Sequence, residues 1–330
     1  MSGRPSVSVV MPTRNRVHLL ERFVEAIGRQ EGVESVELVV VDDGSTDGTA
    51  KELERLAATR SWLVVEARQE GRGAAAARNA GWRRARAELI AFSDDDCEPD
   101  PGWLAALLPA FVDADVVQGA TRYDLAAAEG RGPFSQVVEV LAFTAGFETS
   151  NVGYRREVLE RVGGFDEHFG GDSFGEDVDL GWRAVESGAR WAFVDGAFVV
   201  HDVKRSSAPS EVWASLKNAR RWRHIGRVLR DHPGYKAHRL PDGPFLMDVH
   251  RPTWLAIAGL AVLAARPARL WAWAAAAAAF VPWTRHRVFV EPRPDQWSHL
   301  PAVLPFSFAV DALTAVTVGV SGLRYRVLVL

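Results

Sequence analysis

The chain has 330 residues, 48% of them hydrophobic and 25% charged, so it can bury a sizeable core and is not intrinsically disordered. Its 39 basic and 42 acidic residues give a net charge of -3, which provides no electrostatic reason to expect nucleic acid as a partner. The single cysteine, Cys97, excludes an internal disulfide framework and a cysteine-rich zinc site. The mean hydropathy of -0.06 argues against a mainly transmembrane protein, and we expect no signal peptide.

The first part of the chain alternates short β-branched runs with longer amphipathic stretches, which is typical of a parallel sheet covered by helices. The runs predict strands at residues 7–11, 36–41, 62–66, 89–93, 116–119, 153–154 and 191–200. The amphipathic stretches predict helices at residues 16–30, 45–60, 74–86, 156–161 and 178–187. Because ligands of open α/β sheets lie at the carboxyl ends of strands, the acidic turns there should line one cleft.

The composition changes after residue 203. Residues 204–239 contain ten basic and two acidic residues, with apolar side chains at helical spacing, which predicts a basic amphipathic helix. We therefore divide the chain into an α/β domain at 1–203, a basic helix and linker at 204–249, and hydrophobic helices at 250–330.

The hydrophobic C-terminal part suggests association with a membrane. Between residues 253 and 283 the only charges, Arg266 and Arg269, separate two apolar stretches too short to span a bilayer, so a hairpin dipping into one leaflet fits better. Residues 301–320 carry one charge, Asp311, and are the better candidate to cross. Tryptophans near the segment ends and the adjacent basic helix favour the membrane. The alternative is three helices packed on the soluble domain.

The first candidate site is the pair Asp42 and Asp43, which follows a predicted buried strand. Carboxylates at such a turn can accept hydrogen bonds from a nucleobase imide or a ribose hydroxyl. The alternative is that one of them caps the following helix.

The second candidate site is the run Asp94-Asp95-Asp96, directly after a predicted strand. Three consecutive acids repel one another unless a cation or several hydrogen-bond donors lie among them. A hard divalent ion that bridges to phosphate is a natural partner for such oxygen ligands. The sequence has no ATP-type phosphate-binding loop and no His-Glu-x-x-His motif.

Several motifs occur together in a fixed order. They are Pro12-Thr13-Arg14-Asn15, Val41-Asp42-Asp43-Gly44-Ser45, Ala77-Arg78-Asn79, Asp94-x-Asp96, Thr149-Ser150-Asn151, Gly163-Gly164-Phe165-Asp166 and Gly175-Glu176-Asp177. This order resembles the family 2 glycosyltransferases of the GT-A fold, the nucleotide-diphospho-sugar transferase fold with a mostly parallel central sheet, over residues 6 to about 225. The resemblance implies a nucleotide-sugar donor, most often a UDP-sugar, and Mg²⁺ or Mn²⁺ as cofactor.

The resemblance also implies roles for single residues. Nucleotide binding falls on Pro12, Thr13, Asn15, Asp42, Asp43, Arg78, Asn79, Asp94 and Asp95. Metal binding falls on Asp96, with His201 as a further ligand. Asp177, beside Glu176, would be the catalytic base. Contacts to the acceptor or the diphosphate fall on Asn151, Gly164, Phe165, Arg221 and Trp222.

The chemistry of glycosyl transfer supports these roles independently. A base must remove the acceptor proton, and positive charge must stabilise the departing diphosphate. The charges of Glu176 and Asp179 could raise the pKa of Asp177 towards a useful range. The alternatives are that Glu176 and Asp177 cap a helix and that His201 is structural. Residues 218–222 resemble the Gln-x-x-Arg-Trp element of processive relatives, but Asn218 replaces the glutamine, and a membrane-facing basic helix explains them as well.

We predict an inverting, metal-dependent glycosyltransferase with its catalytic domain on the cytoplasmic face of a membrane. The acceptor would be a hydroxyl of a lipid-linked or cell-envelope glycan, as in polysaccharide biosynthesis. The alternatives are transfer to a polyprenyl phosphate, nucleotidyl transfer to a sugar phosphate, and a non-catalytic nucleotide-binding membrane scaffold.

Overall fold

A computed structural model describes residues 4–123, 138–169, 174–202, 208–241, 243–290 and 300–330. These residues form two compact units, of which the first reaches to Asp202 and the second begins at Ala208. The first unit contains the sheet, and the second consists of helices and their connections in the ranges given.

The first unit is built on an eight-stranded sheet with the order β3-β2-β1-β4-β7-β6-β8-β5. The strands are β1 (Val7–Thr13), β2 (Val36–Asp43), β3 (Leu63–Arg68), β4 (Leu89–Phe92), β5 (Cys97–Pro99), β6 (Val116–Tyr123), β7 (Val152–Arg155) and β8 (Trp191–His201). Only β5 and β7 run against the direction of the other strands, so the sheet is mixed, with a parallel half formed by β3, β2, β1 and β4.

Helices cover both faces of this sheet. They are α1 (Val17–Gly28), α2 (Thr49–Ala57), α3 (Ala74–Arg84), α4 (Trp103–Leu107), α5 (Arg156–Val162) and α6 (Glu176–Glu186). One core contains apolar side chains of α1, α2 and α4, including Phe23 and Trp103. The other contains side chains of α3, α5 and α6, including Trp82 and Leu180. This layering confirms the predicted α/β class.

The predicted strands and helices of the first unit are present with shifted ends. The helix predicted from residue 45 begins at Thr49, because the preceding residues form a turn. Oδ1 of Asp47 accepts the N–H of Thr49 at 3.0 Å in this turn. Strand β5 was not predicted, because three residues carry no readable periodicity. It pairs with β8 through Cys97 and His201.

The second unit contains six α-helices among the described residues. They are α7 (Ala208–Arg220), α8 (Ile225–Asp231), α9 (Pro233–Arg239), α10 (His250–Ala265), α11 (Leu270–Arg285) and α12 (Leu300–Tyr325). The basic segment predicted as one helix is therefore divided into three. A 3₁₀ turn at Arg221–His224 separates α7 from α8, and Pro233, which has no N–H to donate, begins α9.

The apolar helices α10 and α11 form the predicted hairpin. Gly259 lets them approach closely, since a Cβ there would lie 2.7 Å from the Cβ of Ala279. In α12, the stretch Val303–Tyr325 has a mean hydropathy of 1.8 and is long and apolar enough to cross a membrane. The acidic residue inside it, Asp311, is buried and accepts a 2.8 Å hydrogen bond from Nε of Arg287.

Candidate active site

The carboxyl ends of three neighbouring strands bring the predicted acidic turns together. Thr13, the last residue of β1, lies opposite Asp42 of β2 in the parallel register. The Thr13 hydroxyl donates a 2.8 Å hydrogen bond to Oδ2 of Asp95, in the turn after β4. Since β1 lies between β2 and β4, the three turns open on one edge of the sheet, where ligands of open α/β sheets bind.

Asp42 and Asp43 are buried and bind the surrounding backbone. Oδ1 of Asp42 accepts the N–H of Ser45 at 3.0 Å, which closes the turn after β2. Asp43 accepts the N–H groups of Arg72 and Gly73 at 3.1 and 2.8 Å. Asp43 thus fixes the loop that leads into α3, and does not cap the helix that follows it in sequence.

Asn15 joins the turn after β1 to the turn after β2. Its φ of +53° is a left-handed conformation that asparagine tolerates better than most residues. Its N–H donates to Oγ of Ser45 at 2.8 Å, and its Oδ1 accepts the N–H of Thr46 at 2.7 Å. Pro12 lies one residue before the end of β1. These residues therefore shape the edge on which the acidic turns open.

Positive charge surrounds the three consecutive aspartates. Arg78 Nη2 lies 2.7 Å from Oδ1 of Asp94. Arg16 Nη1 lies 3.0 Å from Oδ2 of Asp96 and 3.4 Å from Oδ1 of Asp95. Burial raises the pKa of Asp95 to about 6, an effect that Arg16 opposes. The repulsion expected from the sequence is thus relieved in this structure by arginines.

Arg78 connects the aspartate run to the third predicted motif. Its side chain is buried, and its Nη1 lies 3.6 Å from Oε1 of Glu176 while its Nη2 binds Asp94. Burial alone would lower its pKa, but the two carboxylates raise it, so Arg78 stays charged. Two acidic motifs far apart in sequence therefore share one guanidinium group.

Asp177 lies in the first turn of α6 in a different electrostatic environment. Burial raises its pKa well above the usual range, and the charges of Glu176 and Glu148 add to that rise. Its Oδ1 accepts the N–H of Val178 at 2.8 Å. The sequence predicted that the charge of Asp179 helps to raise the pKa of Asp177. Oδ2 of Asp179 instead lies 2.7 Å from Nη2 of Arg183, and the second glutamate that raises the pKa is Glu148.

A polar cluster that the sequence did not reveal lies around Glu148. Its Oε1 accepts a 2.5 Å hydrogen bond from the Thr144 hydroxyl, and its Oε2 accepts one from Nε2 of Gln118. Oε1 of Gln118 and the hydroxyl of Tyr154 are buried and have no hydrogen-bond partner among the described residues. Burial, followed by the charge of Asp177, raises the pKa of Tyr154.

Asn79 holds the loop that contains Gly164 and Phe165. Its Nδ2 donates to the carbonyl of Phe165 at 2.9 Å, and its Oδ1 accepts the Phe165 N–H at 2.9 Å and Nε1 of Trp82 at 3.0 Å. Gly164 has a φ of +75°, and a Cβ there would lie 2.5 Å from Oδ1 of Asn79. A cavity of about 430 Å³ lies beside this loop, lined by Arg72, Phe165, Asp166, Glu167 and His168.

Asn151 is buried in the sheet. Its Nδ2 donates to the carbonyls of Ala120 and Ala197 at 2.7 and 2.8 Å, and its Oδ1 accepts Nε1 of Trp103 at 2.8 Å. These contacts tie β6, β8 and α4 together, so we leave Asn151 out of the proposed ligand contacts. Arg221 and Trp222 lie in the 3₁₀ turn of the second unit, and their contact with the acceptor or diphosphate stays a prediction.

Asp96 and His201 fit a divalent metal ion. Nδ1 of His201 lies 3.0 Å from the carbonyl of Asp202, so it carries the proton and leaves the lone pair of Nε2 facing Oδ1 of Asp96 at 3.5 Å. Donor atoms of Asp96, Cys97 and His201 lie within 4.8 Å of one another. Cys97 belongs to the apolar core, and burial raises the pKa of its thiol well above the usual value. The fitting donors are thus a carboxylate and an imidazole.

Comparison with known families identifies the chain. The model of glycosyl transferase family 2 matches residues 8–163, and the model of glycosyl transferase family group 2 matches residues 92–316, which is more than half of the chain. The chain belongs to the family 2 glycosyltransferases. The described geometry is therefore that of a glycosyltransferase chain.

Curated relatives of this glycosyltransferase act on diverse molecules. The pre-mycofactocin glycosyltransferase of Mycobacterium tuberculosis is 33% identical over 59% of this chain and 42% of its own length. The validoxylamine A glucosyltransferase of Streptomyces hygroscopicus is 34% identical over 54% of this chain and 51% of its own length. The chain therefore spans about half the length of these relatives.

A solved structure confirms the GT-A fold of this glycosyltransferase. The mannosyltransferase PcManGT from Pyrobaculum calidifontis, in complex with GDP-Man and Mn²⁺, superposes with a TM-score of 0.61 at 21% identity. The match covers 98% of this chain and 88% of that chain. At this identity the likeness concerns the fold alone.

Proposed function

We propose that this glycosyltransferase moves a sugar from a nucleotide-sugar to an acceptor hydroxyl, with inversion at the anomeric carbon. The observation that carries the proposal is the bridge made by Arg78 between Asp94 and Glu176, next to Asp177. The bridge brings the aspartate run, which we assign to the diphosphate side of the donor, close to Asp177, which we assign to deprotonation of the acceptor.

Asp177 is the proposed base. A carboxylate whose pKa is raised holds a proton more strongly than an ordinary aspartate, which favours proton transfer from a hydroxyl. The acceptor oxygen then attacks the anomeric carbon, the bond to the diphosphate breaks with its electron pair, and the nucleoside diphosphate leaves. A single displacement of this kind inverts the configuration.

Asp96 and His201 would hold Mg²⁺ or Mn²⁺ on the diphosphate side. When bound, the ion supplies positive charge that stabilises the leaving nucleoside diphosphate. Arg16, 3.0 Å from Asp96, and Arg78 add fixed positive charge at the same acids. Thr13, Asp42 and Asp43 would hold the nucleoside of the donor.

The decisive assay offers the purified chain UDP-sugars and GDP-mannose, with MnCl₂ or with EDTA. GDP-mannose belongs in the set because the PcManGT structure contains it. We expect one of these donors to release its nucleoside diphosphate, with water as the acceptor of the sugar, and to do so only when the metal ion is present. In a parallel reaction with UTP or GTP and a sugar 1-phosphate, release of pyrophosphate would indicate nucleotidyl transfer instead. Binding of nucleotide without turnover of any donor would indicate a non-catalytic scaffold.

We propose that the second unit associates with a membrane, with the catalytic unit on the cytoplasmic side and a lipid-linked or cell-envelope glycan as acceptor. The supporting observation is the exposed apolar start of α11, where Leu270 is 90% exposed and Trp271 and Trp273 are more than half exposed. Replacing these three residues by Gln should lower the fraction of the chain that floats with lipid vesicles. The matched control is Val112→Gln, an exposed apolar site on the first unit, and an equal fraction for both variants would contradict the membrane role.

A further inference from the structure

A cavity of about 670 Å³ lies within the second unit. It is lined by residues of the segment 238–251 together with Arg287, Asp311 and Thr314. All of its lining residues belong to this helical unit, whereas the proposed chemistry uses residues of the sheet unit. The cavity therefore has no role in the reaction as derived above.

His250 is the residue that marks this cavity as a binding site. It is the first residue of α10, is 0% exposed and lines the cavity. Its Nδ1 lies 3.0 Å from the carbonyl of Leu330, which can only accept, so Nδ1 carries the proton. Nε2 then has a lone pair, and it has no hydrogen-bond partner in the described part of the chain. Buried polar atoms are rarely left unpaired, so a ligand is expected to supply a donor.

The charges around the cavity point to an anion. Arg239, Arg251 and Arg287 are opposed by Asp248 and Asp311, and Asp311 is already bound by Arg287. Nε of Arg239 is buried and has no partner among the described residues. Burial lowers the pKa of His250, so a neutral ring accepts from the ligand.

We propose that this cavity binds a phosphomonoester group, with its P–OH donating to Nε2 of His250 and its charged oxygens paired with Arg239 and Arg251. The second pKa of a phosphomonoester is about 6, so near neutral pH its dianion is in equilibrium with a monoanion that carries both an acidic hydroxyl and negative oxygens. These residues would select the monoanion, because it offers a donor for Nε2 of His250 and charge for the arginines. The same hydroxyl and charged oxygens occur on inorganic phosphate and on lipids with a terminal phosphate, such as phosphatidate, and both would meet the same side chains.

The test uses the full chain and measures binding of inorganic phosphate by calorimetry, and of phosphatidylcholine vesicles with and without phosphatidate by flotation. His250→Asn removes Nε2 while its amide can still donate to the Leu330 carbonyl, and Arg239→Gln removes one guanidinium group. We expect each variant to bind the phosphate group roughly tenfold more weakly, which is the loss typical of one charge-assisted hydrogen bond. The matched control is Arg266→Gln, the same change of charge in the exposed turn before α11.

The two probes separate the sources of the phosphate group. Binding of inorganic phosphate that both variants weaken identifies free phosphate as a ligand. If the chain binds phosphatidate vesicles but not inorganic phosphate, and both variants weaken that binding, the ligand is a lipid headgroup. If His250→Asn does not fold in a thermal unfolding assay, Arg239→Gln alone decides. Absence of binding for both probes, or equal binding by Arg239→Gln and Arg266→Gln, overturns the proposal.

Discussion

The first unit contains two runs of adjacent acids, Asp94-Asp95-Asp96 and Glu176-Asp177, which differ in the charged groups around them. The run Asp94-Asp95-Asp96 faces the guanidinium groups of Arg16 and Arg78. Asp177 is partly buried, and its burial together with the charges of Glu176 and Glu148 raises its pKa well above the usual range. The first environment places cations directly beside carboxylates, although burial still raises the pKa of Asp95 to about 6, and the second suits a group that takes up a proton.

The difference comes from residues that are distant in sequence. Arg78 is shared by both runs. Its Nη2 lies 2.7 Å from Asp94, whereas its Nη1 is farther from Glu176, at 3.6 Å, so Arg78 interacts more strongly with the aspartate run. A run of adjacent acids in a sequence therefore does not by itself indicate a function. Their role follows from which cations the fold brings to them.

Asp177→Asn should have the largest effect on activity. Loss of the base is expected to lower the transfer rate by roughly a thousandfold, within the range for general base catalysis. The measurement is release of nucleoside diphosphate with a hydroxyl acceptor, and Asp113→Asn at an exposed site is the control. A mild effect with a polyprenyl phosphate as acceptor would instead favour the phosphate-acceptor alternative, because a phosphate needs little base catalysis.

The same variant should be more stable than the natural chain. A carboxyl whose pKa is raised on folding destabilises the folded state above its unfolded pKa, so this penalty is absent at low pH and grows as pH rises. An amide carries no such penalty, and the gain at pH 7 is about 1.4 kcal/mol for each unit of raised pKa. Thermal unfolding of both chains at pH 4 and pH 7 measures it.

Arg78→Met should cause the largest loss of stability. It leaves two partly buried carboxylates without their shared cation, at a cost of about 3 kcal/mol, the lower end of the range because Asp94 keeps some contact with water. Chemical denaturation measures this loss. The double variant Arg78→Met with Glu176→Gln should recover part of it. Arg55→Met, which breaks exposed ion pairs, is the control and should cost less than about 1 kcal/mol.

The sequence predicts much of the first unit because its signals are local. Periodicity places the strands, and Asp42, Asp96 and Asp177 stand at strand or helix ends that the motifs mark. The partners of these acids are not local, since Glu148 reaches Asp177 only through folding. No periodicity or motif marks Glu148. The single basic helix predicted at 204–239 was divided by a 3₁₀ turn and by Pro233, because helical spacing of apolar residues persists across a break.

Asn79→Ala should destabilise the first unit by about 2 kcal/mol. The variant leaves Nε1 of Trp82 and the backbone of Phe165 without their buried partner. Activity should fall less than in Asp177→Asn, because Asn79 positions a loop and both acid runs keep their own partners. Denaturation and the transfer assay measure the two effects. A large loss of activity at unchanged stability would instead give Asn79 a direct role in nucleotide binding.

Glu148→Gln should have the smallest effect and tests the origin of the raised pKa of Asp177. The amide keeps the shape of the side chain but removes a negative charge that favours the protonated form. The pKa of Asp177 should then fall, because one of the negative charges that raise it is gone. Since only ionised Asp177 accepts a proton, the acidic limb of the rate profile should move to lower pH by the same amount, while exposed Glu54→Gln leaves it in place. A limb that does not move would show that the charge of Glu148 does not contribute to the raised pKa of Asp177.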